Sequence, residues 1–183
     1  MLGVLDACFI IDWSRYRRRE LLSKLFDIMY IHDEVLAQIR STMAIEYVTE
    51  LMTKGILRLY AWSDTDEVEF IRLREEVSSD PRIPAVERPD ILCLIIAKSL
   101  SAILLSENVG IHRIVQYNPR YKDVNVWTAL EVLENMVYKG LITVRSEGEF
   151  LNCIREYEED TAHKFRRKRI GECIERLREW LRR

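Results

Sequence analysis

Short apolar runs alternate with longer amphipathic segments along this chain of 183 residues, and this alternation restricts the fold more than any other feature. Each run has the length and composition of a buried β-strand. The segments between the runs carry apolar residues at helical spacing. Strands that alternate with helices form a parallel sheet covered by helices on both faces. We therefore predict an α/β fold of three layers, with strands at residues 2–6, 28–31, 56–62 and 101–105.

The second half of the chain is predicted to supply further helices and one more strand. Ile111–Tyr117 has the composition of a fifth, edge-like strand, which would give a central parallel sheet of four or five strands. Val126–Tyr138 has the pattern of an amphipathic helix, with Gly140 beyond its end. The remaining residues are rich in charge and carry apolar side chains at helical spacing. We therefore divide the chain into a domain at 1–144 and a helical C-terminal extension at 145–183, packed on or next to it.

Composition excludes several classes of protein. The four cysteines are scattered, without a C-x-x-C pair, which favours reduced buried thiols and a cytoplasmic location. No apolar run approaches the roughly 18 residues of a membrane span. Asp6 and Asp12 interrupt the first apolar segment, whereas the apolar region of a signal peptide contains no charged residues. No G-x-x-x-x-G-K motif is present, which excludes a P-loop nucleotidase. Net charge is −2, so any affinity for nucleic acid must come from local basic patches.

Three acidic residues lie where parallel strands are expected to end. Asp6 ends the first strand, Glu107 follows the fourth, and Asp90 begins the helix that leads into the fourth. Ligands of parallel sheets bind beyond the carboxyl ends of the strands. Neighbouring carboxylates repel one another unless a hard cation such as Mg²⁺ or Mn²⁺ joins them, and such an ion can promote phosphodiester hydrolysis. The alternatives are a helix cap at Asp6, a helix-dipole contact at Asp90 and a solvated loop acid at Glu107.

The same acids lie in segments that resemble PIN domains. Residues 4–12 (VLDACFIID) are similar to the first strand and helix start of that family, and residues 89–98 (PDILCLIIAK) to the helix that carries its third acid. Residues 102–110 (AILLSENVG) resemble the next strand and its acidic turn, and the resemblance extends over residues 2–144. It implies a PIN-like α/β/α fold and a Mg²⁺- or Mn²⁺-dependent endoribonuclease. By position, Asp6 and Asp90 would be metal ligands, Glu107 a third ligand or an outer acid, and Ser106 a hydrogen-bonding neighbour.

The sequence departs from the PIN pattern at two positions. A helical pattern from residue 33 to residue 54, broken near Ser41, should carry the second acid, but the matching position is Gln38. Glu34, one helical turn earlier, could replace it. Asn108 likewise stands where an acid is expected. These differences keep a second hypothesis open, in which the domain has lost activity and binds RNA or a protein without cutting.

Two basic clusters could bind the RNA backbone. The first contains Arg15, Arg17, Arg18 and Arg19 with Tyr16, close in sequence to Asp6, and it is our predicted RNA-binding segment. The second is Lys164–Arg169 in the extension; for both, the alternative is a solvated helix face. Because many PIN proteins are toxins of toxin–antitoxin pairs, the resemblance also implies an antitoxin or other protein partner. A homodimer is a further hypothesis.

Overall fold

The computed structural model describes residues 1–182, at the centre of which is a parallel sheet of five strands. The strand order is β3-β2-β1-β4-β5, and every neighbouring pair is parallel. This confirms the predicted α/β class and its parallel sheet. Arg183, the last residue of the predicted extension, lies outside the described residues. The strands are β1 (Leu2–Leu5), β2 (Ile28–Ile31), β3 (Leu57–Leu59), β4 (Ile103–Leu105) and β5 (Val126–Trp127).

Helices cover both faces of the sheet. They are α1 (Ala7–Arg15), α2 (Leu22–Leu25), α3 (Asp33–Leu36), α4 (Thr42–Thr53), α5 (Asp64–Ser79), α6 (Arg88–Leu100), α7 (Val109–Tyr117), α8 (Ala129–Tyr138), α9 (Glu147–Thr161) and α10 (Arg167–Leu181). The chain moves from β1 outward to β3 and then returns past β1 to β4 and β5. Right-handed crossovers place the helices of these two halves on opposite faces. Accordingly, α1 packs on α4 and α9, whereas α6 packs on α5 and α7.

The core lies around β1 and α6. Val4 and Leu5 are completely buried, since β1 is the central strand and has helices on both sides. Gly3 allows the aromatic ring of Phe26 to approach the strand, because an added Cβ would lie 3.0 Å from that ring. In α6 every residue of the segment 91–97 is buried. This helix is therefore apolar all round, as its position between the sheet and its neighbouring helices requires.

The predicted strand at Ile111–Tyr117 is wrong, because these residues belong to α7. The Asn108 side chain caps this helix by accepting a hydrogen bond from the Gly110 amide at 2.7 Å. Ile111 and Ile114 are buried three residues apart, which is helical spacing. The β-branched composition of the segment favoured a strand, but the cap and the amphipathic spacing determine the structure.

The fifth strand lies instead at Val126–Trp127, at the start of the segment predicted to be helical throughout. Thr128 then begins α8 with a capping box, in which its hydroxyl and its backbone amide both donate to the Glu131 carboxylate. The break predicted near Ser41 is confirmed, since α3 ends at Leu36 and Ser41 caps α4. Short elements that lie between buried neighbours are difficult to separate by periodicity alone.

The predicted C-terminal helices are present as the pair α9 and α10. Phe150 and Tyr157 of α9 and Leu177 of α10 are buried in the same core as the sheet. Helix α9 packs on α1 and α8, and α10 packs on α8. Within residues 1–182, no helix combines the length and the apolar composition that crossing a bilayer requires.

Candidate functional site

Asp6 lies at the centre of the edge formed by the carboxyl ends of the strands. Its backbone amide donates to the Leu105 carbonyl at 3.2 Å, which joins the ends of β1 and β4. Its Oδ1 accepts a hydrogen bond from the Phe9 amide at 2.6 Å, so Asp6 caps α1. Its Oδ2 is buried and has no hydrogen-bond partner among the described residues. One carboxylate oxygen therefore has a structural role, whereas the other is unsatisfied.

Burial dominates the ionisation of Asp6. Its pKa is raised from 3.8 to about 7, mainly because the side chain is removed from water and to a smaller extent because the carboxylates of Asp90 and Glu107 are near. The Phe9 amide and the Ser106 hydroxyl act in the opposite direction, because they stabilise the ionised form. Burial therefore moves the titration of the Asp6 side chain from the acid range towards neutral pH.

Asp90 begins α6 beside Pro89 and is half-buried. Its Oδ2 accepts a hydrogen bond from the Asn108 side-chain amide at 2.7 Å. Burial and the nearby Glu87 raise the pKa of Asp90, and the Asn108 amide lowers it. The amide at position 108, where PIN domains carry an acid, thus provides a neutral donor to Asp90 and at the same time caps α7.

Glu107 joins the edge of the sheet to the C-terminal extension. Its Oε1 accepts from the Ala129 amide at 2.7 Å, and its Oε2 lies 3.6 Å from His163 Nε2. Burial raises the pKa of Glu107, whereas the Ala129 amide and His163 lower it. His163 Nδ1 is 3.5 Å from Asp12 Oδ2, and Asp12 together with Glu107 raises the pKa of His163. One Glu107 oxygen therefore accepts a hydrogen bond from the backbone, and the other lies near the His163 ring.

The carboxylate oxygens that these three acids leave free bear on whether they suit a divalent cation. No group of three His, Cys, Asp or Glu side chains within residues 1–182 has the arrangement of a metal-ion site. The unsatisfied Oδ2 of Asp6 and its proximity to Asp90 nevertheless suit a hard cation, which would remove the cost of the buried charge. Mg²⁺ commonly binds proteins through one or two carboxylates and retains several waters. Asp6 and Asp90 are side chains of this type, and metal binding by Asp6, Asp90 and Glu107 stays a prediction.

The two candidates for the missing second acid do not join the cluster. Glu34 forms an ion pair with Arg88, at 3.0 Å between Oε1 and Nε, and Arg88 also contacts Glu67. Gln38 is exposed and lies in the turn beyond the end of α3. Within the described residues, neither side chain has a hydrogen bond to Asp6 or Asp90. Glu34 therefore contacts the start of α6, two residues before Asp90, and the role of Gln38 stays a prediction.

The predicted RNA-binding arginines lie beside the extension. Arg17 holds the Asp160 carboxylate with its Nε and Nη2 at 2.8–3.2 Å, and Arg18 contacts Glu156 at 2.8 Å. Arg19 donates to the Ser14 carbonyl and lies over the Tyr47 ring. Arg15 is 3.9 Å from the Asp12 carboxylate. The contacts of Arg17 and Arg18 attach α9 to the segment that follows α1, and binding of RNA by this cluster remains a prediction.

Sequence reasoning missed His163 and Asp12 as residues of this site. Asp12 lies on α1, six residues beyond Asp6, and in the sequence it appears only as an interruption of the first apolar segment. His163 comes from the loop between α9 and α10, far along the chain. Only the packing of the extension brings it to Glu107, so no local sequence signal could have identified it.

Together, the sheet order, the two helical layers and the acids at the strand ends define a PIN-like α/β/α fold. The chain is similar to a solved structure described as VapBC2 from Rickettsia felis bound to a DNA fragment from their promoter, with a TM-score of 0.51 and 15% sequence identity. The match covers 70% of this chain and 98% of that chain. No protein-family model matches the sequence, and no curated protein matches it significantly. At this level of identity the likeness concerns the fold alone.

Proposed function

We propose that this protein is a divalent-metal-dependent endoribonuclease of the PIN type. The observation that carries the proposal is the buried Asp6 carboxylate, whose Oδ2 is unsatisfied and whose neighbours are two further acids. Burying such a group costs stability unless a ligand compensates for it, and sites with perturbed carboxyl pKa values are frequently functional. The PIN-like fold and the order of the three acids along the chain support the same conclusion.

In this proposal Asp6 and Asp90 hold Mg²⁺ or Mn²⁺. When bound, the ion would stabilise the charge that develops on a phosphodiester and would promote the ionisation of water. Asn108 orients Asp90 through its 2.7 Å hydrogen bond. The Ser106 oxygen accepts from the backbone amide of Asn108 at 3.1 Å, and the Ser106 hydroxyl lowers the pKa of Asp6. Glu107, held by the Ala129 amide, acts as an outer acid that can orient water next to the substrate.

The test is cleavage of a mixed pool of single-stranded RNA in the presence of Mn²⁺. Asp6→Asn and Asp90→Asn should each abolish cleavage, because each removes one of the two proposed ligands. Asp123→Asn is the matched control, since Asp123 is exposed and lies away from the acids, and it should cleave like the parent. Equal cleavage by all four proteins would show that the activity does not belong to this site.

A second candidate is an RNA- or protein-binding module that has lost catalysis. Asn108 and Gln38 in place of acids favour it, as does the lack of a three-carboxylate group within residues 1–182. Specific RNA binding by the parent without cleavage in either Mg²⁺ or Mn²⁺ would support this candidate over the nuclease.

The proposal includes a protein partner of the antitoxin kind. The PIN resemblance implies it, and the similarity to a chain of the VapBC2 assembly supports it. An adjacent small gene whose product co-purifies with this chain would be the expected finding. We also propose a homodimer, for which light scattering gives a direct test, and a monomeric mass would exclude it at the concentration measured.

A further inference from the structure

A cleft of about 600 Å³ opens beside Glu107, between α7 and the C-terminal extension. One wall is formed by α7, which contributes Arg113. The other wall is formed by the loop after α9 and the first turn of α10. Ala162 ends α9 with a left-handed backbone (φ 60°), and the Thr161 hydroxyl accepts from the His163 amide at 3.1 Å. These local interactions direct the loop towards α7 and give the cleft a defined shape.

The cleft is basic, although the protein as a whole is acidic. Its lining includes five cationic side chains, Arg113, Lys164, Arg166, Lys168 and Arg169, and only two anionic ones, Glu107 and Glu172. The whole chain has a net charge of −2. A local reversal of sign of this kind is the electrostatic signature of a polyanion site, since net charge by itself would repel nucleic acid.

Three of the five cations are available to a ligand. Arg113 is exposed, and its hydrogen bonds go to the neutral side chains of Gln116 and Tyr117. Arg166 is exposed and forms no ion pair with residues 1–182, and Lys168 is 88% exposed, with its carboxylate neighbour Glu172 3.8 Å away. By contrast, Arg169 is committed to Glu131, and Lys164 lies 3.2 Å from Glu158.

We infer that this cleft binds the phosphate backbone of single-stranded RNA on its way to the acidic site. The inference rests on the proposed function, because Glu107 of the candidate acidic site lines this cleft. Phe165, which also lines the cleft and stacks on Tyr157, adds an aromatic surface of the kind that bases stack on. This surface favours a nucleic acid over an acidic protein segment.

The segment that forms most of the cleft belongs to the extension beyond the PIN-like core. The acidic site would therefore have a basic surface next to it even if the cluster Arg15–Arg19 does not bind RNA. Arg17 and Arg18 hold the extension on the segment that follows α1 through Asp160 and Glu156, and so they support the cleft indirectly.

The test measures binding without cleavage. Fluorescence anisotropy with a labelled single-stranded RNA of mixed sequence, in EDTA, would compare the parent with the triple variant Arg113→Gln, Arg166→Gln, Lys168→Gln. The matched control is Arg40→Gln, Lys122→Gln, Lys139→Gln, which removes the same charge from exposed positions outside the cleft. Thermal unfolding of all three proteins would verify that each is folded.

We expect the cleft variant to bind RNA at least about tenfold more weakly than the control variant. For single strands each phosphate contact contributes about 0.7 to the slope of log affinity against log salt, so the slope should fall by about 2. Equal weakening in both variants, or no RNA binding by the parent, would overturn the inference. Preferential binding of labelled polyglutamate would overturn it in favour of an acidic protein ligand.

The outcomes separate this inference from the proposed nuclease activity. RNA binding that depends on the cleft, without cleavage in Mn²⁺, would retain the inference and reject the nuclease. Cleavage that Asp6→Asn abolishes, with RNA affinity unchanged in the cleft variant, would retain the nuclease and reject the inference.

Discussion

Replacing Asp6 by asparagine should stabilise the metal-free protein at neutral and alkaline pH. Asparagine keeps an oxygen that can accept from the Phe9 amide and cap α1, but it carries no charge. The parent must bury an ionised carboxylate at that place, with Asp90 and Glu107 nearby. Where the charges of a functional site destabilise the fold, a substitution that removes one of them is expected to increase stability.

The magnitude follows from the pKa of Asp6. The folded value is about 7 and the reference value is 3.8, and each pKa unit corresponds to 1.36 kcal/mol, so the upper limit is roughly 4 kcal/mol. Because the folded pKa is raised, the contribution of Asp6 is most favourable below pH 3.8 and is lost as the pH rises through 7. Between pH 5 and pH 8 the parent should lose roughly 2–3 kcal/mol relative to Asp6→Asn.

The assay is urea unfolding monitored by tryptophan fluorescence, since Trp13 on α1 is completely buried in the folded protein. Parent and variant would be compared in EDTA at several pH values from 5 to 8. Adding Mn²⁺ at pH 8 should then stabilise the parent more than the variant, by about 3 kcal/mol at one hundred times the dissociation constant. Asp66→Asn is a contrasting control, because the buried Asp66 carboxylate accepts from the Ser63 amide and hydroxyl, and its loss should destabilise.

Two results would refute this reasoning. If the stability difference between parent and Asp6→Asn does not change from pH 5 to pH 8, then ionisation of the buried Asp6 carboxyl does not cost stability. An equal response of both proteins to Mn²⁺ would mean that the cation does not bind at Asp6.

Three further predictions concern the fold around the site. Ser101 ends α6 with a left-handed backbone (φ 49°), so Ser101→Gly should raise the free energy of unfolding by about 1 kcal/mol in urea titrations. Arg176→Met should lower it by about 2 kcal/mol, because Arg176 holds the buried carboxylate of Glu134 at 2.6–2.8 Å, and adding Glu134→Gln should restore much of the loss. Gly110→Ala should destabilise by about 1–3 kcal/mol, because its Cβ would lie 2.4 Å from Val86, and Val86→Ala should rescue it if the clash is the cause.

The sequence was sufficient for four of the five strands and for part of the candidate site. Asp6 and Glu107 follow strands that pair directly, so the rule that ligands bind at the carboxyl ends of parallel strands predicted their proximity. Asp90 depended on the PIN resemblance, since a position in the first turn of a helix does not by itself show where its side chain points. The fifth strand was misplaced because the buried face of α7 is formed by β-branched residues.

The contacts of the extension could not be read from the sequence. Arg17 pairs with Asp160, a residue 143 positions away, and nothing in either segment specifies the other. A charge cluster near a predicted site is equally compatible with a ligand and with a tertiary ion pair. His163 was missed for the same reason, because its partners Asp12 and Glu107 meet it only after the extension has packed on the core.

The central position of β1 has a consequence for synthesis and folding. One neighbour, β2, begins at residue 28, whereas the other, β4, begins only at residue 103. Contacts between distant segments form slowly, since a long loop must close before they contribute. Until β4 arrives, the apolar strand β1 has an open edge that can pair with other chains. We expect chains that are truncated before residue 103 to aggregate through the unpaired edge of β1.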